Sequence, residues 1–141
     1  MANEQYAFIQ KDKVPSLAQW QNAVDAAGFD LQIYPDLQVF KHSGFMPCKL
    51  LGKDFGVEVY YSPANEIFDG TTEELTGNRD YCISFRWGSS FHEGACAMIL
   101  SYALAISFGA VVSYEGEEPY QDLSALRKNA ESMINEAAKR G

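Results

Sequence analysis

A chain of 141 residues is the size of one domain, and at this length a single core buries roughly two-thirds of the surface an unfolded chain exposes. With 47% hydrophobic, 13% aromatic and 21% charged residues, it is too apolar for disorder and needs no metal or disulfide staple. Nineteen acidic residues against eleven basic ones give a net charge of -8, which disfavours nucleic acid as a partner and steers basic proteins inward.

The run from Gln5 to Gln10, with Tyr6 and Phe8 alternating with Ala7 and Ile9, predicts a well-covered strand. Ser16 then caps a helix. Gln19 completes its capping box, Leu17, Trp20, Val24 and Ala27 form one apolar stripe, and Gly28 is the stop. Leu31 to Tyr34 predicts a second strand, closed by Pro35 and Asp36. The segment HSGFMPCKLLGKDFGVEVYYSP predicts a hairpin with arms Phe45–Leu51 and Val57–Tyr61 joined by Gly52–Gly56, and Pro47 suggests an edge position or a bulge. In the second arm Val57, Val59 and Tyr61 share one face, Glu58 and Tyr60 the other.

Pro63 to Asp80 reads as an acidic surface loop. Tyr81 to Trp87 is a strand with Tyr81, Ile83, Phe85 and Trp87 on one face and Cys82, Ser84 and Arg86 on the other. Ser90 and Glu93 form a second capping box, opening a helix from Phe91 to about Phe108 that is apolar nearly all round and therefore buried. Gly109 ends it, and Ala110–Tyr114 is the next strand. Glu115–Pro119 is a second acidic loop, and Asp122–Lys139 an amphipathic last helix. The element order predicts a single α+β domain over residues 1–141, with about three helices on a largely antiparallel sheet.

Gly94 to Tyr114 carries no charge over a length that spans a bilayer, but its small residues, Gly109 and the lack of flanking Lys or Arg argue against a membrane helix. Cys48, Cys82 and Cys96 are odd in number, far apart and set in apolar runs, which predicts reduced core thiols. The first thirteen residues hold no signal-peptide core, so the expected location is the cytoplasm.

The turn RWGSSFHEG, from Arg86 to Gly94, offers Arg86, Ser89, Ser90 and His92 as an alternative site, because backbone N–H groups at a helix start hold anions. The structural explanation is stronger there, since Ser90 and Glu93 already serve as a cap. Neighbours on one helical turn also diverge too far for a hydrolytic relay. Cys48 with His42 is the other nucleophile and base pair, but it lacks an electropositive setting. Two histidines without CxxC, HExxH or an EF-hand loop predict no metal site, and nothing calls for a cofactor or names a catalytic residue.

What remains is an interaction surface for a basic protein partner, built from two acidic loops. Its candidate residues are Glu66, Asp69, Glu73 and Glu74 in the first, with Glu115, Glu117, Glu118 and Tyr120 in the second. A solvated acidic face is the competing explanation. Homodimerisation through a sheet edge or the last helix is compatible with either.

At SGFMPCKLLGKDFGVEVYY, YCISFRWGS and the helix ending FGAVVSYEGE, the chain resembles small uncharacterised bacterial proteins that carry a GF-P strand, a GVE or GFE strand, and an FRW strand before an alanine-rich helix. The resemblance spans about Ser43 to Glu117. It implies an immunity function: a cytosolic, non-enzymatic inhibitor that occupies a toxin's active site or partner surface. These motifs are structural rather than chemical, and no catalytic or binding residue carries over.

Overall fold

The computed structural model describes residues 3–67, 76–115 and 121–139. In chain order these form β1 (Asn3–Ile9), α1 (Leu17–Ala26), β2 (Leu31–Ile33), β3 (Ser43–Leu50), β4 (Lys53–Pro63), β5 (Tyr81–Trp87), α2 (Phe91–Phe108), β6 (Val111–Tyr114) and α3 (Leu123–Lys139). The strands make one sheet in the order β2-β3-β4-β5-β1-β6, antiparallel at every pairing. The expected α+β architecture is the observed one.

Alternation along the strands decides which way each side chain goes. Ala7, Ile9, Val57, Val59, Ile83, Phe85 and Trp87 line up across the central strands and are buried beneath the helices. α2 lies over this face, with every residue from Gly94 to Leu104 buried. Its composition would let it cross a membrane, but here it is the core helix, with 61% of it buried inside the fold. Ser90 Oγ accepts from Glu93 N at 3.2 Å to start it, and Gly109 at φ 74° ends it in the left-handed conformation a glycine adopts freely.

α1 and α3 pack against α2. Trp20 of α1 donates its indole N–H to Leu100 O at 3.2 Å and meets Phe85 edge-on. Arg127 of α3 donates to Ala27 O at 3.0 Å and lies over the rings of Phe29 and Tyr102, tying α3 to the end of α1. At Gly94 a Cβ would sit 3.0 Å from Trp87 Nε1 and 3.2 Å from Met133 Sδ, so the missing side chain lets β5, α2 and α3 close together.

The hairpin corrects the sequence reading. Its connection is two residues, Leu51 at φ 53° and Gly52 at φ 79°, rather than the stretch from Gly52 to Gly56. Paired positive φ values match the twist of the flanking strands, so pairing resumes at once with Leu50 opposite Lys53. Gly56 is a strand residue opposite Pro47, and a Cβ there would collide with Met46 O and lie 2.5 Å from Phe45 Cζ.

Both outer strands are met by glutamine residues. The Gln21 side chain donates to Leu31 O at 2.8 Å and accepts from Ile33 N at 2.7 Å, reproducing on β2 the bonds of a further strand. At the other end Gln121 N donates to Val112 O at 2.7 Å. These contacts occupy backbone groups that a second chain would otherwise use.

Candidate functional site

The face of the sheet away from the helices is chemically ordered in rows. Register places Arg86 between Glu4 on β1 and Glu58 on β4. Glu115 extends this row just beyond β6, its N–H donating to Glu4 O at 2.8 Å while its carboxylate accepts from Glu4 N at 3.3 Å. The next row holds Tyr60, Ser84, Tyr6 and Ser113, and the one after it Ser62, Cys82, Phe8 and Val111. Ala64 and Ile67 pack over Phe8 and Cys82, so that end of the face is covered and the charged end is open.

Each tyrosine is tied to an acid two residues earlier in its strand. Tyr60 donates to Glu58 at 2.5 Å, and Tyr6 donates to Glu4. Burial pushes the Tyr6 phenol above its ordinary value, and the bond to Glu4 adds to the shift. For Tyr60 the bond to the Glu58 carboxylate is the larger cause of an upward shift. Both phenols stay protonated and serve as donors that hold the carboxylates in place.

Arg86 does not neutralise this row. Its Nε lies 4.0 Å from Glu4, with 53% and 37% of the two side chains exposed, a pairing that contributes at most ~1 kcal/mol. Glu66 joins Glu4, Tyr6, Tyr60, Ser84 and Arg86 around a groove of about 220 Å³. Among the described residues, two carboxylates, Glu4 and Glu66, line this groove with a single guanidinium, and Glu58 and Glu115 flank it in the same row.

Of the acidic-loop residues named from the sequence, Glu66 and Glu115 belong to this face, whereas Asp69, Glu73, Glu74, Glu117, Glu118 and Tyr120 lie outside the described residues. Glu4 and Glu58 are additions that the structure makes. Their signal in the sequence is the outward phase of two strands, which gains meaning only with the register that sets them beside Arg86.

The alternative quartet is not brought together. Arg86 faces the open side, Ser90 caps α2, and His92 stacks on Phe55 with ring centroids 4.1 Å apart. Ser89 and Ser90 instead border a cleft of about 790 Å³ between the start of α2 and the second half of α3. Its amides are mutually bonded: Asn129 donates to Gln121 at 2.9 Å, Gln121 to buried Gln5 at 3.3 Å, and Tyr114 to Asn3 at 2.6 Å.

Cys48 and His42 are engaged separately. The ring of His42 contacts Gly44 O at 2.9 Å, while Cys48 is buried in the core and donates to Met46 O at 3.7 Å. All three cysteines are free and buried. The neighbouring Cys48 thiol and burial raise the Cys96 thiol, and burial raises Cys82, so both are held as unreactive thiols. Among the described residues no three His, Cys, Asp or Glu side chains are placed to hold a metal ion. Comparisons with family models, curated proteins and solved structures give no match to this chain.

Proposed function

We propose that the chain is a non-enzymatic binding protein of the immunity type, acting in the cytosol by engaging a basic surface of a protein partner such as a toxin. The observation that carries this reading is the row Glu58, Arg86, Glu4 and Glu115, with Glu66 at its side. A groove of about 220 Å³ is smaller than ligand pockets of roughly 300–1,000 Å³ and suits one inserted Lys or Arg side chain. The net charge of -8 adds long-range steering of a basic partner. An enzyme or anion site at the Arg86–Gly94 turn has less support, because its four residues are dispersed.

The test measures binding of purified products of neighbouring genes by calorimetry, using wild type and the triple variant Glu4→Lys, Glu58→Lys, Glu66→Lys. A basic partner should bind wild type and lose at least 100-fold in affinity to the variant. A second variant, Glu73→Lys, Glu74→Lys, Glu117→Lys, Glu118→Lys, reports on the loops separately. Binding undiminished by either variant, or no binding by any neighbouring product, overturns the reading.

A further inference from the structure

We propose that the cleft between the start of α2 and the second half of α3 is a separate binding site for a small organic cation with an aromatic body. At about 790 Å³ it falls within the roughly 300–1,000 Å³ typical of small-molecule pockets. Its walls combine the rings of Trp87, Phe91 and Tyr114 with the adaptable thioethers of Met98 and Met133.

One observation defines the occupant and a second makes its binding visible. The first is charge: Glu136 is the one ionised side chain among the described residues lining the cleft, and no Lys or Arg joins it. Its contact with Lys139, at 3.4 Å between exposed groups, is a weak surface pairing. The start of α2 would favour an anion, but Glu93 in its first turn and the Ser90 cap already answer its partial positive charge. A cation is favoured near Glu136, and the aromatic walls offer it ring faces.

The second is the indole of Trp87. The residue is 3% exposed and lines the cleft, yet its N–H makes no hydrogen bond among the described residues. An ammonium has no lone pair to accept from it, so this N–H serves as a reporter on the cleft rather than as the contact that selects the occupant. The neighbouring amides are already hydrogen-bonded, so they form a fixed wall beside the rings. Trp20, whose N–H is bonded to Leu100 O, serves as the internal control.

The experiment follows the two indole N–H resonances of the isotopically labelled protein, assigned with Trp87→Phe, during titration with phenethylamine, 2-phenylethanol and 3-phenylpropionate. Phenethylamine should shift the Trp87 signal, leave Trp20 unmoved and bind more tightly than the alcohol, with the carboxylate weakest. Glu136→Gln, a change at a partly exposed position, should weaken the amine about threefold and leave the alcohol unchanged. Ser132→Trp should block all three by filling the cleft, with amide dispersion confirming the fold. Carboxylate binding as tight as the amine, or no Trp87 shift with any probe, overturns the proposal. Neither result depends on the sheet face where a protein partner is proposed.

Discussion

The two faces of the sheet are built from the same strands and do opposite things. β5 sends Ile83, Phe85 and Trp87 under the helices and Ser84 and Arg86 toward the open face. On the covered side, burial of each large apolar side chain contributes about 1.5–3 kcal/mol, and the face is uniform because any polar group there needs a partner. The open side is graded, from Phe8 and Cys82 beneath Ala64 and Ile67, through the tyrosines, to the charged row. Stability therefore resides mainly on one face, leaving the other free to hold like charges at little cost to the fold.

The harshest challenge to this contrast is alkali. Cys82 and Cys96 are fully buried, and their thiols are raised above the ordinary value. A raised value means the fold prefers the protonated form, so that stability is complete below the unfolded thiol's value near 8.5 and is lost as pH rises above it. Each thiol removes about 1.4 kcal/mol per pH unit, together roughly 7 kcal/mol by about pH 11. The raised phenols of Tyr6 and Tyr61 add to the loss from about pH 10. Urea midpoints should hold steady to about pH 8 and then fall, later in Cys96→Ala. A midpoint unchanged at pH 11 refutes the argument.

Next in size is a pair of adjacent substitutions. Phe85→Ala removes a fully buried ring and should cost about 3–5 kcal/mol, while Arg86→Ala, one residue on, should cost less than about 1 kcal/mol. Urea unfolding of the two variants measures the difference between the faces directly, and comparable losses would contradict it.

What the sequence makes legible is what each residue settles with its near neighbours. The Ser16 cap with Gln19, the alternation of Tyr81 to Trp87 and the Gly109 stop all depend on residues a few positions apart. The hairpin turn is misplaced by the sequence because Gly56 resembles a turn residue, whereas its glycine is required by the close approach of Met46 O and the Phe45 ring. Leu51 gives the opposite signal, as a bulky residue at positive φ is uncommon. The acidic row is hidden for a different reason: Glu4, Glu58 and Arg86 belong to separate strands, and only register makes them neighbours. Composition indicates acidity without locating it.

Gly56→Ala tests the corrected hairpin. The added methyl group would collide with the backbone oxygen of Met46, which cannot swing aside as a side chain would, so β3 and β4 must separate locally. A loss of about 1–3 kcal/mol is expected in urea unfolding, within the range for an overpacked site. The same change at Gly88, where the added methyl group would meet nothing within 4 Å, should cost less. Equal costs at the two glycines would place the crowding elsewhere.

The smallest effect on stability carries the most information about association. Gln21→Ala removes two hydrogen bonds from the outer backbone of β2, but water can reach that edge, so the loss should be about 1–2 kcal/mol. The variant also uncovers Leu31 O and Ile33 N beside Tyr34 and Phe45, which are 49% and 53% exposed. An unpaired strand edge next to apolar side chains invites pairing with another chain. Sedimentation at matched concentrations should therefore find more self-association in Gln21→Ala than in wild type. Gln21→Glu should fall between them, since a carboxylate still accepts from Ile33 N but cannot donate to Leu31 O. If all three sediment alike, the side chain of Gln21 stabilises the strand without guarding its edge.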